Sequence, residues 1–245
     1  MNAYERLYPE YGAGGFTRYA GTVQFFGRIN ALVEPEMSIL DFGAGRGLLS
    51  EHRLPYIRGI TNFKNRVRRV TGIDIDPVVT TNPTLDEGLI FDGIQIPADD
   101  EAFDLIYSDH VFEHIADPAL ISAELYRVLK PGGWLCARTP HLYSTLVVGS
   151  KLIPNSKHAN VLTKVQPGGR AAHDVFPTFY RLNSMRALRR HFPKNKWSNH
   201  SYTWNPEPGY NFNSVILTRI LSIINYVKKP LMGGEVMLVF AQKKS

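Results

Sequence analysis

Short apolar runs alternate with longer amphipathic segments along the first 140 residues. The run Ser38–Phe42 leads into a glycine cluster, as a buried parallel strand does before a turn. Helical spacing of apolar positions predicts a helix over Gly21–Leu32. Residues 117 and 118 (DP) predict the start of another helix, which residues 131–133 (PGG) should end. The other predicted strands are Val70–Asp74, Leu89–Phe91, Asp104–Ser108, Trp134–Thr139 and Glu235–Gln242.

Strands separated by helices predict a parallel sheet covered on both faces, that is, an α/β fold. The length of 245 residues favours one domain over 1–245. We expect a ligand-binding core at 36–140, a basic insertion at 141–196, and C-terminal strands with an amphipathic helix at 197–245. The segment Glu51–Arg69 is long, basic and interrupted by Pro55, so the helix after the glycine cluster is not defined by the pattern.

Several classes of protein are excluded by composition. The stretch Phe212–Val227 is too short and too polar to span a bilayer. The N-terminus lacks the apolar core of a signal peptide, and we therefore expect a cytoplasmic protein. Cys136 is the only cysteine, which excludes an internal disulfide and a cysteine-cluster zinc site.

The charge is divided unevenly along the chain. Residues 1–137 carry 12 basic and 19 acidic residues, whereas residues 138–245 carry 16 basic and 3 acidic residues. This polarity suggests that the second part meets an anionic ligand. The alternative is a basic surface that is merely solvated. The arginines available to grip an anion are Arg138, Arg170, Arg181, Arg186, Arg189 and Arg190.

Glycines and acids follow the first strands of the predicted sheet. Residues 41–47 (DFGAGRG) place glycines at alternate positions, where the backbone turns sharply and approaches a ligand closely. Their spacing differs from the dinucleotide fingerprint and suits a nucleoside with an amino-acid tail. Asp74 ends the second strand, where a carboxylate accepts hydrogen bonds from a ribose. Asp92 follows the third strand, and Ser108 closes the fourth beside the same crevice.

With these residues in place, the chain resembles the class I S-adenosylmethionine-dependent methyltransferases of the type 11 group. The matching segments are ILDFGAGRG (39–47), VTGIDIDP (70–77), IFDGIQIP (90–97), FDLIYSDHVFEHIADP (103–118) and ELYRVLKPGGWL (124–135). The resemblance implies a Rossmann-like, seven-stranded, mostly parallel sheet with helices on both faces and an antiparallel last strand. It implies S-adenosyl-L-methionine as the cofactor. The segment HDVFPTFYRLN (173–183) is similar to bacterial members associated with surface-polysaccharide synthesis.

The resemblance also implies the cofactor contacts, position by position. The glycine turn would surround the methionine part, Asp74 the ribose, Asp92 and Ile94 the adenine, and Ser108 the methyl-bearing end. The full set of expected cofactor-binding residues is Asp41, Gly43, Gly45, Gly47, Asp74, Ile75, Asp92, Gly93, Ile94, Ser108 and Asp109.

A hydroxyl acceptor must lose a proton during methyl transfer, so a histidine or an acid near the methyl group would serve as the base. The candidates are His110 and His141, which follow adjacent strand ends, and His173 beside Asp174 in the insertion. We expect His114 to pack beside Glu113 instead. The histidine and acid spacings do not support a metal site, and none is assigned.

The sequence therefore predicts O-methylation of an anionic or sugar-containing small molecule or glycan precursor. A first alternative is methylation of RNA or another macromolecule, with aromatic side chains stacking on bases. The candidate stacking residues are Tyr143, Phe176, Phe179, Tyr180 and Trp197. A second alternative is a non-catalytic module that binds the cofactor or a partner. The helix Ser214–Val227 is expected to pack on the sheet or on a second copy, with the inner membrane surface as a further alternative.

Overall fold

The computed structural model describes residues 2–152, 176–209 and 211–245. Helices and strands within these residues are numbered in chain order. The helices are α1 Ala3–Leu7, α2 Gly21–Asn30, α3 Pro55–Thr61, α4 Pro118–Val128, α5 Thr145–Leu152, α6 Met185–His191 and α7 Val215–Met232. The strands are β1 Ser38–Phe42, β2 Arg69–Asp74, β3 Glu87–Ile90, β4 Phe103–Asp109, β5 Leu129–Pro140, β6 Trp197–Asn199, β7 Tyr202–Trp204 and β8 Val236–Lys243.

The strands form one mixed sheet in the order β3-β2-β1-β4-β5-β8-β6, with β7 also paired to β8. Strands β1 to β5 are parallel, and β8 runs antiparallel to β5. Both β6 and β7 lie along the edge of β8 that faces away from β5, one after the other. Because these two short segments share one position, the described sheet has seven positions. The predicted α/β sheet with an antiparallel last strand is confirmed.

Side chains alternate between the two faces of the sheet, and each face buries its own core. In β8, Met237, Val239 and Ala241 point into one core, whereas Leu238 and Phe240 point into the other. This period of two is what a strand covered on both faces requires. Residues of α4 and α6 cover the first face, and residues of α2 cover the second. The helices therefore lie on both faces, as predicted.

Local capping chemistry explains where several helices begin. The Asp117 carboxylate accepts hydrogen bonds from the N–H groups of Ala119 and Leu120, and Pro118 occupies the first helical position. Ser184 and Ser214 cap α6 and α7 in the same way. The start of α4 after β4 is thus written in the sequence, and it fixes the path of residues 110–117 across the end of the sheet.

Two helices end away from their predicted ends, and the segment that the pattern left undefined contains a short helix. Helix α4 ends at Val128, because residues 131–133 belong to β5, where the pairing with β4 shifts register. The glycine turn is followed by only a short helical turn, Leu48–Glu51, and then by α3, since Pro55 suits the first position of a helix. Helix α7 continues past Val227 to Met232, with Pro230 in its last turn. No helix in the described parts of the chain is long and apolar enough to cross a bilayer.

Candidate active site

The glycine turn after β1 has a backbone that other residues adopt poorly. Gly43, Gly45 and Gly47 have φ angles of +84°, +49° and +76°. A Cβ atom on Gly43 would lie 2.2 Å from a methyl carbon of Val111, and one on Gly47 would lie 2.3 Å from Oδ1 of Asn82. Two of the three glycines are therefore required by packing as well as by conformation.

Asn82 supports the glycine turn from below. Its side-chain nitrogen donates to the carbonyl oxygens of Ala44 and Gly45, each at 3.1 Å, and its oxygen accepts from the hydroxyl of Thr84 at 2.7 Å. The side chain is buried. Asn82 was not predicted from the sequence, because it positions backbone atoms that lie almost forty residues earlier in the chain.

Asp74, at the end of β2, is already tied to the glycine turn. Its Oδ2 accepts from the N–H of Gly45 at 2.8 Å, and its Oδ1 accepts from the N–H of Asp76 at 2.9 Å. A carboxylate oxygen can accept more than one hydrogen bond, so each oxygen of Asp74 can accept a further bond from a hydroxyl group. The structure therefore brings Asp74 to the place where the sequence predicts a ribose contact.

Asp41 lies beside the same turn and accepts a hydrogen bond from the hydroxyl of Tyr107 at 2.8 Å. The pKa of Asp41 is raised from 3.8 to about 7, mainly by burial; the hydrogen bond from Tyr107 opposes this rise, and the nearby carboxylates of Asp109 and Asp74 contribute to it. A nearby cation would stabilise the ionised form of Asp41. The ends of β1 and β2 thus form an anionic place that suits a positively charged ligand.

The predicted adenine-side residues lie in exposed turns. Asp92 accepts from the N–H groups of Ile94 and Gln95 at 2.8 and 2.9 Å, and these bonds lower its pKa. Ile75 and Ile94 are more than half exposed, and a Cβ atom on Gly93 would meet nothing within 4 Å. Exposed isoleucines after β2 and β3, at one edge of the sheet, offer apolar surface for a flat ring.

Ser108 and Asp109 end β4, and both side chains are occupied. The hydroxyl of Ser108 donates to the carbonyl of Phe42 at 2.9 Å. Asp109 accepts two hydrogen bonds from the guanidinium of Arg138, at 2.6 and 2.7 Å, and Arg138 also donates to the hydroxyl of Thr22 at 3.1 Å. The expectation that Arg138 is available to bind an anionic ligand is wrong, because it is buried and neutralises Asp109.

His110 follows directly, and its backbone is held in an unusual conformation. Its φ angle is +61°, in the left-handed region, and its N–H donates to the carbonyl of Arg138 at 2.8 Å. Such outliers in residues other than glycine concentrate at functional sites. The conformation is held by the adjacent strand rather than by the histidine itself.

A buried chain of polar groups orients the His110 ring. Nδ1 of His110 lies 3.4 Å from Oε1 of Glu113, and Oε2 of Glu113 accepts from the hydroxyl of Thr139 at 2.7 Å. The side-chain nitrogen of Asn183 donates to the same hydroxyl oxygen at 2.7 Å. Burial alone would raise the pKa of Glu113, but the contacts with His110 and Thr139 outweigh it and lower the pKa. His110 was predicted from the sequence, whereas the residues that support its ring were not: Glu113, Thr139 and Asn183.

Residues 40–137 match the methyltransferase domain family, over β1 to β4 and the helix and strand that follow. This part of the chain is a methyltransferase domain of the class I S-adenosylmethionine-dependent kind. The match covers the glycine turn, Asp74, the end of β4 and His110, which are the elements described above. S-adenosylmethionine is the methyl donor of this family.

Curated relatives of this methyltransferase match over the same half. The ubiquinone biosynthesis O-methyltransferase of Pseudomonas savastanoi is 33% identical over 130 residues, covering 48% of this chain and 52% of the relative. The malonyl-(acyl-carrier protein) O-methyltransferase of Serratia marcescens is 32% identical over 165 residues, covering 61% and 58%. The chain thus spans little more than half the length of these relatives.

Solved structures agree with the methyltransferase fold over nearly the whole chain. A methyltransferase of Thermotoga maritima has a TM-score of 0.54 at 18% identity and covers 99% of both chains. The cyclase SpnF has a TM-score of 0.52 at 14% identity, covering 90% of this chain and 80% of its own. Because a cyclase shares the architecture, the fold by itself does not establish the reaction.

The residues present fit the cofactor of the family. S-adenosylmethionine carries a sulfonium and an ammonium group, and the side chains of Asp41 and Asp74 lie beside the glycine turn, where such cations would favour the ionised form of Asp41. The glycine turn leaves room for a ligand because Gly45 has only the Asp74 carboxylate near its Cβ position, at 3.9 Å. The individual cofactor contacts remain predictions.

The other histidines of the methyltransferase have different surroundings. The His141 ring is buried near Gly233 and Tyr143, burial and the charge of Lys228 lower its pKa, and its Nδ1 has no hydrogen-bond partner. Nδ1 of His114 donates to the carbonyl oxygen of Pro177 at 2.8 Å, which supports a packing role. His173 and Asp174 lie outside the described residues. Among the described histidines, His110 alone combines an exposed ring with an orienting carboxylate.

The basic second half also differs from its sequence interpretation in detail. Arg186, Arg189 and Arg190 lie on α6 and are exposed, whereas Arg181 donates to the carbonyl of Ala116. Arg170 lies outside the described residues. Trp197 is buried at the start of β6, so the expectation that it stacks on nucleic-acid bases is wrong. Cys136 is buried in β5, and burial raises the pKa of its thiol.

Proposed function

We propose that this methyltransferase moves the methyl group of S-adenosylmethionine to a hydroxyl oxygen of a small molecule, with His110 as the general base. The observation that carries this proposal is the His110–Glu113–Thr139–Asn183 chain at the end of β4. When bound, the cofactor supplies an electrophilic methyl group. The protein must then bind the acceptor, exclude water and accept the hydroxyl proton.

Glu113 sets the tautomer that a base needs. A carboxylate beside Nδ1 favours the proton on that nitrogen, which leaves Nε2 free to accept one. Nε2 of His110 lies 3.9 Å from Oδ1 of Asp109, beyond hydrogen-bond distance. Asp109 is itself neutralised by Arg138, so it competes weakly for the ring. As the proton arrives, the charge of Glu113 stabilises the imidazolium.

The class of acceptor is proposed on charge. Residues 138–245 carry a large excess of cations. The three exposed arginines of α6 belong to this excess, and they follow Asn183 closely in the sequence. An anionic, hydroxyl-bearing acceptor fits this distribution. The O-methyltransferase names of the curated relatives support oxygen as the methylated atom. A sugar-containing acceptor is part of the proposal on the sequence resemblance alone.

The decisive experiment compares two histidine variants. Release of S-adenosylhomocysteine is measured with a panel of catechols, hydroxy acids and sugar phosphates for the parent, His110→Ala and His114→Ala. Loss of a general base should lower kcat by about 10²–10⁴-fold in His110→Ala, with the affinity for S-adenosylhomocysteine unchanged. His114→Ala is the matched control, because the contacts described for its ring are with the carbonyl of Pro177 and the ring of Phe176.

The pH profile separates a base from a structural residue. A base that must be neutral gives a rate that falls as the pH is lowered, and this acidic limb should be absent from the residual activity of His110→Ala. Turnover of His110→Ala within about twofold of the parent would remove His110 from the mechanism. A melting curve that S-adenosylhomocysteine leaves unchanged would contradict the cofactor site itself.

A further inference from the structure

Helix α7 exposes its apolar side and buries a polar one. Its exposed aliphatic residues have between 44 and 87% of their surface accessible. These residues, called the α7 apolar face below, are Ile216, Ile220, Ile223, Ile224, Val227 and Leu231. The buried positions of the helix are Thr218 and Asn225. This is the reverse of the usual arrangement of a helix that packs on a protein core.

The six residues form one continuous stripe. Successive residues are separated by three or four positions, except for the adjacent Ile223 and Ile224, so a helix with 3.6 residues per turn places all six within about 100° of one side. The stripe extends over about 22 Å at 1.5 Å per residue. The opposite side is satisfied within the protein, since the Thr218 hydroxyl donates to the carbonyl of Ser214, and Asn205 donates to the carbonyl of Asn225. The helix is therefore fixed with its apolar stripe outward.

The charge around the stripe has one sign. Residues 208–234 contain Arg219, Lys228 and Lys229 and no Asp or Glu. Arg219 and Lys229 are exposed, whereas Lys228 is paired with Glu235. At 100° per residue, Arg219 and Tyr226 lie along one border of the stripe, and Tyr226 is 80% exposed. An exposed cation and a tyrosine that border an aliphatic stripe fit a helix that lies in a membrane interface.

A groove beside the stripe adds further apolar surface. It has a volume of about 260 Å³ and is lined by Leu7, Tyr8, Arg219, Ser222 and Ile223. Helix α1 supplies Leu7, and α7 supplies the last three residues. The apolar surface therefore continues from the stripe across the contact between α1 and α7.

We propose that the α7 apolar face binds the surface of a membrane that contains anionic phospholipids. A second copy of the chain fits less well. In a pair of α7 helices that meet through their apolar faces, Arg219 of each copy would lie at the edge of the contact, and residues 208–234 supply no acid to pair with it. Anionic headgroups offset the same charges, and the acyl region accepts the aliphatic side chains.

The first experiment is vesicle flotation with the whole chain. Phosphatidylcholine vesicles containing phosphatidylglycerol should carry the protein upward, and vesicles of phosphatidylcholine alone should carry much less. Ile223→Asp with Val227→Asp should weaken binding to the mixed vesicles by about tenfold or more, because apolar burial is replaced by repelled charge. Leu120→Asp on α4 is the control, since it also places a charge at an exposed aliphatic helix position and should bind like the parent.

Two further readouts exclude the other occupants. Tyr226→Trp should give a blue-shifted emission with mixed vesicles that high salt weakens, because the screening of exposed charges reduces the lipid attraction. Light scattering coupled to gel filtration measures the mass of the protein without lipid. A dimer that Ile223→Asp dissociates, or equal flotation of the parent and the doubly substituted protein, would overturn the proposal.

Discussion

The acidic and basic parts of the chain differ in where their charges lie. In residues 1–137, Asp41 and Asp74 both lie beside the glycine turn, and Asp74 accepts a hydrogen bond from the turn's backbone. In the described part of residues 138–245, Arg138 is buried in β5, whereas Arg186, Arg189 and Arg190 are exposed on α6. The two acids of the first part therefore indicate one place on the sheet, whereas the basic excess of the second part supports an anionic acceptor only through its exposed arginines.

The ion pair between Asp109 and Arg138 connects a residue of the first part with a residue of the second. Both charges are largely withdrawn from water, with 19 and 10% of the side chains exposed. Arg138 also lies over the ring of Phe25, which belongs to α2. The pair thus joins the end of β4, the end of β5 and the helix that covers one face of the sheet. Substitutions at these charges test how far the stability of each part depends on them.

The largest effect should follow from breaking this ion pair. Arg138→Gln leaves Asp109 largely buried without its partner, which should lower the free energy of unfolding by about 3–5 kcal/mol in urea titrations. Arg190→Gln is the control from the exposed arginines and should change it by less than about 0.5 kcal/mol. Asp109→Asn introduced into Arg138→Gln should recover part of the loss. Equal losses of unfolding free energy in Arg138→Gln and Arg190→Gln would show that the ion pair does not stabilise the contact between the two parts.

The second prediction separates conformation from packing at the glycine turn. Gly43 and Gly132 have similar φ angles, +84° and +78°, but only Gly43 has a neighbour, Val111, where a Cβ atom would be. Gly43→Ala should cost about 2–4 kcal/mol of unfolding free energy, and Gly132→Ala about 1–2 kcal/mol, since both pay for the left-handed backbone. Trimming Val111→Ala in the Gly43→Ala protein should reduce the gap. Identical costs would mean that conformation alone requires glycine at position 43.

The cofactor half was predictable because its functional residues lie in contiguous motifs. Asp41, the alternating glycines and Asp74 follow buried strands directly, and parallel strands bring their carboxyl ends to one edge of a sheet. The strand order and the antiparallel last strand followed from the family resemblance rather than from any local pattern. His110 was predictable for the same reason as Asp74, since it comes immediately after a strand.

The remaining site residues carry no local signal. Asn183 reaches Thr139 across 44 positions of the chain, and Asn82 reaches Ala44 across 38. A polar residue that supports a distant backbone or side chain has the same sequence context as one in any loop. Arg138 was misinterpreted because a strand pattern does not show which strand end supplies its partner. The expectation that the α7 apolar face packs on the sheet is wrong, because periodicity defines a stripe but not the direction in which it points.

The third prediction asks whether the two parts divide cofactor binding between them. Asp74→Ala should weaken the calorimetric affinity for S-adenosylhomocysteine by about 1–3 kcal/mol, through loss of the ribose contact and of the support to the Gly45 N–H. Glu235→Ala is the control from the basic part, because its carboxylate also accepts a backbone hydrogen bond, from Thr145, at 2.9 Å. It should leave the affinity unchanged. Similar losses in the two variants would mean that cofactor binding reports general stability.

The smallest effect compares two acids with matching titration, one from each part. Burial raises the pKa of Asp41 from 3.8 to about 7 and that of Glu207 from 4.5 to about 7. Between the unfolded and folded pKa values the folded chain holds protons that the unfolded chain has lost. Stability should therefore fall as the pH rises through this window and level off above about pH 7.

Asp41→Asn and Glu207→Gln should each remove part of this loss. At about pH 8 each variant should gain about 1–2 kcal/mol over the parent, less than the full shift implies because water reaches both half-buried side chains. At about pH 4 the gain should disappear, since the parent groups are then neutral in the folded chain. Only Asp41→Asn should weaken the binding of S-adenosylhomocysteine, because Asp41 lies at the glycine turn, whereas Glu207 contacts Thr17. A Glu207→Gln protein with weaker cofactor binding would place the cofactor's charge nearer to the second part than the strand ends indicate.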